Sequence, residues 1–201
     1  MDERSFFDNL APTWDDNEVL STPEKVRYVL DFIDLRPGQS VLDLGTGTGV
    51  LLPFLAERIG DEGKITAVDY SEGMLSRAIE KFRALTPKPE FLSIDFENET
   101  IPGEYDHILL YSVYPHLHTP FETIKWLRAV NLAENGVITV AFPTGPDFIN
   151  NIHRERHSDS DILPPAEVLA TTMRNHGLDA HVAKADETCY IINIYKNGVT
   201  L

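Results

Sequence analysis

The sequence predicts an α/β fold, a three-layer sandwich on a mostly parallel sheet with an antiparallel C-terminal edge. Short apolar segments of strand length alternate with amphipathic helical segments over most of the chain, an order typical of parallel sheets. The segment 178–198 instead contains two successive strand-like stretches with no helix between them. Strands connected in this way pair antiparallel, so they are expected to complete one edge of the sheet.

Local signals place the individual elements along the chain. Thr22 is a hydroxyl cap directly before Pro23, so a helix is expected to begin there, and Gly177 is expected to close the last helix. The predicted strands are 41–44, 65–69, 90–94, 105–111 and 136–142. Helices are predicted from residues 23, 50 and 71 and over 121–130 and 165–176, and the stretch 143–163 is predicted to be irregular.

The charge balance narrows the classes of partner. The 201 residues include 32 acidic and 17 basic side chains, for a formal net charge of −15. A protein this acidic repels nucleic-acid phosphates and anionic lipids, so neither a nucleic acid nor a membrane is expected as a partner. The length suits one domain, 1–201, in which residues 1–35 form an N-terminal helical cap, and a monomer or a homodimer is expected.

A cytoplasmic location is expected from three further observations. Cys189 is the single cysteine, so no disulfide can form within the chain. No apolar signal-peptide core follows Met1, and no apolar run approaches the roughly 18 residues that a membrane-spanning helix needs.

The clearest functional signal is a glycine-rich loop between a strand and a helix. Gly45, Gly47 and Gly49 directly follow the strand 41–44, and glycines let the backbone approach a ligand closely because they have no Cβ. Asp69 ends the next strand, 24 residues after Gly45. A carboxylate there can accept both hydroxyl protons of a ribose, so a nucleoside ligand is predicted.

Two details distinguish a dinucleotide from a methionine-containing nucleoside. The third glycine comes one position earlier than in the G-x-G-x-x-G pattern of dinucleotide sites. Asp43 precedes the first glycine by two residues, where it would repel a pyrophosphate but could hold an ammonium group, directly or through water. The loop therefore favours a ligand with an amino-acid end.

The segment 41–49 resembles motif I of the class I S-adenosylmethionine-dependent methyltransferases, and 67–75 resembles their D-x-S-x-x-M-L motif. Asp95 and Phe96 fall where that family places an acid that meets the adenine amino group. The resemblance implies a Rossmann-like fold, S-adenosylmethionine as cofactor, and methyl transfer to a small-molecule acceptor.

The resemblance also implies roles for the cofactor-binding residues. Gly45, Thr46 and Gly47 would line the methionine part, with Asp43 near its amine. Asp69 would hold the ribose, and Asp95 would accept from the adenine amine. Tyr70 and Met74 would enclose the adenine, with Phe96 nearby.

The residues that would bind and activate the methyl acceptor are predicted mainly from the segment after the fourth strand. His116 and His118 are candidate bases near neutral pH, and Tyr111 ends the strand itself. These three side chains are the predicted catalytic residues. The predicted substrate-binding residues are Trp14, from an aromatic N-terminal segment expected to form a lid, together with Tyr114, His153, Arg154 and His157.

The histidines also raise a second possibility, a transition-metal site. His153 and His157 lie four residues apart, a spacing that puts two ligands on one helix face. Loops after the fourth and fifth strands border the same cavity in this fold. His116, His118, His153 and His157 are therefore candidate metal ligands, and a metal-assisted or His-assisted methyltransferase is an alternative prediction.

The sequence is also compatible with other functions. One is a catalytically silent protein that binds S-adenosylmethionine, and another is a metal-handling or tetrapyrrole-related role. A nicotinamide-dependent oxidoreductase is disfavoured by Asp43 and by the glycine spacing. The sequence has no N-P-P-Y motif, which disfavours methylation of DNA or protein amides, and a single cysteine disfavours an arsenite methyltransferase.

Overall fold

A computed structural model describes residues 3–17, 21–155 and 162–196. The strands form one seven-stranded sheet in the order β3-β2-β1-β4-β5-β7-β6. They are β1 (Ser40–Leu44), β2 (Lys64–Asp69), β3 (Glu90–Ser93), β4 (Tyr105–Tyr111), β5 (Leu132–Phe142), β6 (Asp179–Ala185) and β7 (Tyr190–Tyr195). Strands β1 to β5 run parallel, and β7 pairs antiparallel with both β5 and β6.

The helices in the described residues follow the predicted alternation. They are α1 (Glu3–Leu10), α2 (Trp14–Asn17), α3 (Pro23–Leu30), α4 (Leu52–Ile59), α5 (Glu72–Phe82), α6 (Pro120–Val130), α7 (Pro146–Glu155) and α8 (Ala166–Asn175). Single 3-10 turns cover Ala11–Thr13 and Tyr114–His116. No helix within the described ranges is long and apolar enough to cross a membrane.

The sheet is buried on both faces, as the near-continuous apolar strands require. Leu42 and Leu110 pack in one core and Val41 and Leu109 in the other, because successive side chains of a strand point to opposite faces. The first core is completed from α6 and α8 by Ile124, Leu127, Leu169 and Met173. The second is completed from α3 and α4 by Val29, Leu30, Leu55 and Ile59. The predicted three-layer architecture is confirmed.

The predicted cap at Thr22 and the predicted stop at Gly177 both form, and Ser71 supplies a further cap. The hydroxyl of Thr22 accepts from the N–H of Lys25, and Pro23 opens α3. The Ser71 hydroxyl accepts from the N–H of Met74 at 3.2 Å and starts α5. Gly177 follows α8 with φ of 83°, the left-handed conformation that glycine adopts without strain.

The prediction of an irregular stretch at 143–163 was wrong, because α7 occupies part of it. Its sequence is mostly polar, but Phe148, Ile149 and Ile152 fall at helical spacing, and Ile149 is buried. The side chain of Asn150 also donates to the carbonyl of Leu163 at 2.9 Å and accepts from its N–H at 2.8 Å. This tertiary pairing, which local sequence does not reveal, holds the helix against the chain that leads into α8.

The remaining differences are at element ends. The helix expected from residue 50 begins at Leu52, and β5 begins at Leu132 rather than at 136. Such shifts are common because terminal turns carry few hydrogen bonds of their own.

Replacement of Asn131 by alanine should destabilise the fold. Its buried side-chain amide donates to the carbonyls of Ile101 and Gly103, at 2.8 and 2.9 Å, and so holds the loop before β4. Loss of both donors should lower the free energy of unfolding by roughly 2–4 kcal/mol, measured by urea denaturation. The matched control is Asn135→Ala at an exposed position. Equal, small effects at both positions would contradict this account.

Candidate functional site

A cleft of about 220 Å³ opens at the carboxyl ends of β1, β2 and β4. The sheet order places β2 on one side of β1 and β4 on the other, and ligands of open α/β sheets bind at such a switch point. The described residues that line the cleft are Glu3, Phe7, Trp14, Ser21, Gly45, Thr46, Gly47, Thr48, Val50, Asp69, Tyr70, Met74, Asp95, Phe96, Glu97, Asn98, Tyr111, Ser112, Val113, His116, Leu117 and His118. Most of the predicted cofactor residues therefore line one cavity.

The glycine loop forms the floor of this cleft. Gly45 has φ of 66°, and a Cβ at this position would lie 2.5 Å from a methyl carbon of Val113. Gly47 has φ of 56°, and a Cβ there would meet no heavy atom within 4 Å. Gly45 is therefore needed for close packing and a left-handed turn, whereas Gly47 leaves open space beside the backbone for a ligand.

Two carboxylates lie at the ends of β1 and β2 beside the loop. Asp43 is 2% exposed and accepts a hydrogen bond of 2.7 Å from the Thr46 hydroxyl. Asp69 is 5% exposed and accepts from the N–H groups of Gly47 and Ser71, at 2.8 and 2.9 Å. The carboxylate of Asp69 thus joins the glycine loop to the start of α5.

Burial controls the ionisation of both acids. It raises the pKa of Asp43 to about 7, against the hydrogen bond from Thr46, and the nearby charge of Asp69 raises it further. Burial also raises the pKa of Asp69, although hydrogen bonds from Ser71 and Gly47 oppose this shift. A cation bound near these groups would favour their ionised forms, so this end of the cleft suits positively charged ligands.

The predicted adenine-binding residues border the same cleft. Tyr70 directly follows Asp69, and Met74 lies in the first turn of α5. Phe96 is 9% exposed and packs in the core below. Asp95 accepts from the N–H of Glu97 at 3.2 Å and from the Asn98 amide at 2.8 Å, which fixes its carboxylate at the rim.

The N-terminal helices lie over the cleft. Asp8 on α1 accepts from the Ser71 hydroxyl at 2.6 Å and from the Gly73 N–H at 3.0 Å. An acid at that position is also stabilised by the N-terminal end of α5. A Cβ at Gly73 would lie 3.2 Å from the backbone of Asp8, so the glycine permits this close approach.

A second polar contact holds the following turn. Asp15 accepts from the Thr48 hydroxyl at 2.5 Å and pairs with the Lys81 ammonium at 2.9 Å. Burial by itself would raise the pKa of Asp15, but these two partners lower it below its ordinary value. Trp14 thereby reaches the cleft wall, and its ring lies 5.9 Å from that of Phe7 in an edge-to-face contact.

The four predicted metal ligands do not come together in the described residues. His116 and His153 are close, with ring centroids 5.3 Å apart, and Nδ1 of His116 lies 2.8 Å from the Glu3 carboxylate. His118 points elsewhere, to Glu97 at 3.0 Å, with 79% of its side chain exposed. His157 lies outside the described residues. Among those that are described, no group of three or more His, Cys, Asp or Glu side chains forms a metal-binding arrangement.

The other predicted acceptor residues are divided between the cleft and its surroundings. Tyr111 lines the cleft, and its hydroxyl donates to that of Ser21 at 3.3 Å. Tyr114 instead packs in the core, and burial raises its pKa to about 12. Arg154 is exposed on α7 and donates to Asn151 at 2.7 Å, so neither Tyr114 nor Arg154 forms the cleft wall.

Sequence reasoning missed Glu97. Its carboxylate accepts from the N–H groups of His118 and Thr119, at 3.0 and 2.8 Å, and from the hydroxyls of Thr119 and Thr123. Burial by itself would raise the pKa of Glu97, but these donors lower it, and the same contact raises the pKa of His118. Glu97 therefore fixes the loop that carries His116, and its place two residues after Asp95 was the available signal.

Known proteins that are similar in sequence to this chain are methyltransferases. A family model described as a methyltransferase domain matches residues 41–132. The 2-phytyl-1,4-naphtoquinone methyltransferase of Trichormus variabilis is 30% identical over 105 residues, which are 50% of this chain and 46% of that protein. The matched regions cover less than half the length of the first curated relatives.

Solved structures share the fold over nearly the whole chain. An S-adenosylmethionine-dependent methyltransferase from Aquifex aeolicus has a TM-score of 0.73 and 21% identity, covering 98% of this chain and 100% of its own. Magnesium protoporphyrin IX methyltransferase (ChlM) from Synechocystis PCC 6803, with bound S-adenosylhomocysteine, has a TM-score of 0.61 and 16% identity, covering 98% and 89%. At these identities the likeness shows the fold.

The stability of the ligand-free protein should fall as the pH rises toward neutrality. Folding raises the pKa of Asp43 from 3.8 to about 7. The protonated Asp43 therefore stabilises the folded protein fully below pH 3.8, and this stabilisation is lost as the pH rises through about 7. Between pH 5 and pH 8, wild type should lose roughly 2–3 kcal/mol more unfolding free energy than Asp43→Asn. Urea denaturation at both pH values measures this difference, and parallel pH dependences of the two proteins would contradict it.

Proposed function

Since the chain belongs to the class I S-adenosylmethionine-dependent methyltransferase family, we propose that it transfers a methyl group from S-adenosylmethionine to a small-molecule acceptor. The observation that carries the proposal is the cleft itself. It joins a glycine loop and the Asp69 carboxylate, with the buried Asp43 hydrogen-bonded to Thr46 of that loop, to a set of aromatic side chains and His116 at the other end. We call these ends the cofactor half and the acceptor half.

The cofactor half fits S-adenosylmethionine. The open space beside Gly47 accommodates a chain close to the backbone, and Asp43 and Asp69 supply acidic groups at an end where no lysine or arginine of the described residues lines the cleft. Asp43 would accept from the amino-acid ammonium, and Asp69 would accept from the ribose hydroxyls through lone pairs that Gly47 and Ser71 leave available.

The adenine would lie against apolar and aromatic surface. Tyr70 and Met74 border its position, with Phe96 below, and Asp95 at the rim accepts from the exocyclic amine. Thr46 keeps the Asp43 carboxylate in place by its hydrogen bond of 2.7 Å. When bound, the sulfonium of the cofactor supplies an activated methyl group and a neutral leaving group.

The acceptor half comprises Glu3, Phe7, Trp14, Tyr111 and His116. The chain's contribution there is to exclude water, orient the acceptor and receive a proton. Phe7 and Trp14 cover the cleft as a lid. Of the two histidines that line it, His116 is the better placed base, because it is 28% exposed whereas His118 is 79% exposed and pairs with Glu97. We propose, as the sequence predicts, one domain over 1–201 with an N-terminal helical cap in 1–35. Of its described helices, α1 and α2 carry residues that line the cleft, whereas α3 packs in the second core.

Ligand affinity should separate the roles of the two buried acids. Asp43→Asn should weaken S-adenosylhomocysteine binding at least tenfold while leaving adenosine binding nearly unchanged, because adenosine has no ammonium group. Asp69→Asn should weaken both ligands. Isothermal titration calorimetry measures each affinity, and Asp61→Asn, an exposed acid, is the matched control. Failure of wild type to bind S-adenosylhomocysteine would overturn the proposed function.

His116→Ala should lower the rate of methyl transfer without changing cofactor affinity. Loss of a positioned base typically costs a factor of about 10²–10⁴ in kcat. The measurement uses tritiated S-adenosylmethionine with an acceptor found by a metabolite screen. His181→Ala, at an exposed position paired with Asp179, is the control. Cofactor binding without turnover of any acceptor would instead favour the catalytically silent alternative.

A further inference from the structure

The acceptor half contains a carboxylate that the cofactor does not account for. Glu3 comes from the first turn of α1, whereas Asp43 and Asp69 come from the ends of β1 and β2. Its Oε1 lies 2.8 Å from Nδ1 of His116, and both side chains are only 28% exposed. The ring of His116 meets that of Phe7 edge to face, 5.5 Å between centroids. A carboxylate, an imidazole and an aromatic ring therefore share one wall of the cleft.

No lysine or arginine in the described part of the chain lines this cleft, although Glu3, Asp69, Asp95 and Glu97 all do. Two basic side chains on α5 and α1 are paired with acids. Lys81 pairs with Asp15 at 2.9 Å, and Arg4 pairs with the exposed Glu72 at 3.4 Å. The chain as a whole carries −15. An anionic group that entered the acceptor half would therefore face like charge in a partly desolvated site.

We propose that the methyl acceptor is a primary or secondary amine carried by an apolar or aromatic group, and that Glu3 is the residue that selects it. This inference rests on the proposed function. The amine enters as an ammonium ion and pairs with the Glu3 carboxylate. The rings of Phe7 and Trp14 lie 5.9 Å apart and present faces and edges suited to the apolar group and to cation–π attraction.

Methyl transfer to the amine requires that the ammonium first lose one proton. The ammonium gives a proton to the imidazole of His116, which lies beside the Glu3 carboxylate. The nitrogen lone pair then forms a bond to the methyl carbon while the carbon–sulfur bond breaks, and the electron pair stays on sulfur. The product is an N-methylated ammonium ion beside a neutral thioether. The protonated His116 returns its proton to solvent after release.

Three probes that share a phenyl ring on a two-carbon chain test whether the cleft prefers an amine: phenethylamine, 2-phenylethanol and phenylacetate. Each is titrated into the full-length protein saturated with S-adenosylhomocysteine, and binding is followed by ligand-observed NMR. Wild type should bind the amine at least tenfold more tightly than the carboxylate, with the alcohol between them. Glu3→Gln should bring the amine and the carboxylate within about threefold of each other.

Glu72→Gln is the matched control, because it removes an acid that contacts α1 from outside the cleft. It should keep the wild-type preference. The affinity for S-adenosylhomocysteine, measured in every variant, reports the proposed function and folding separately from the acceptor. Equal or tighter binding of phenylacetate to wild type, or no detectable binding of the amine to the saturated protein, would overturn the proposal while leaving the cofactor assignment intact.

Discussion

The carboxylate of Asp69 is the contact on which the geometry of the cleft depends. One oxygen accepts from Gly47 at 2.8 Å and the other from Ser71 at 2.9 Å, so a single buried side chain joins the glycine loop to α5. Ser71 in turn caps α5 and donates its hydroxyl to Asp8 on α1. The floor of the cleft and its lid therefore belong to one hydrogen-bonded network, in which each group is costly to leave without a partner.

The cofactor half could be predicted because its signals are local. The strand, the glycines and the acid at the end of the next strand all fall within residues 41–75. Parallel pairing of β1 with β2 places the carboxyl ends of both strands at the same edge of the sheet, so Asp43 and Asp69 become neighbours without any further information. The caps at Thr22 and Ser71 are likewise local, and both form as their residue types predict.

The acceptor half could not be assembled in the same way. Glu3 and His116 meet from opposite parts of the chain, and Glu97 reaches a loop that follows a different strand. The insertion of β7 between β5 and β6 is equally non-local, since either order satisfies an antiparallel pair. The histidine pattern was misleading for the same reason: spacing suggested that His116 and His118 act together, but Glu97 draws His118 toward solvent.

Acidic side chains occur in both the cofactor half and the acceptor half of the cleft. Burial raises the pKa values of Asp43 and Asp69 and so disfavours their ionised forms, and a cationic ligand would relieve this cost. An ammonium attracted by Glu3 would then approach the positively charged sulfonium of bound S-adenosylmethionine in a site of low dielectric. That repulsion would lower the pKa of the ammonium and would favour proton loss to His116 at the moment when a lone pair is needed. The attraction that selects the amine and the repulsion that activates it would thus come from the same arrangement of charges.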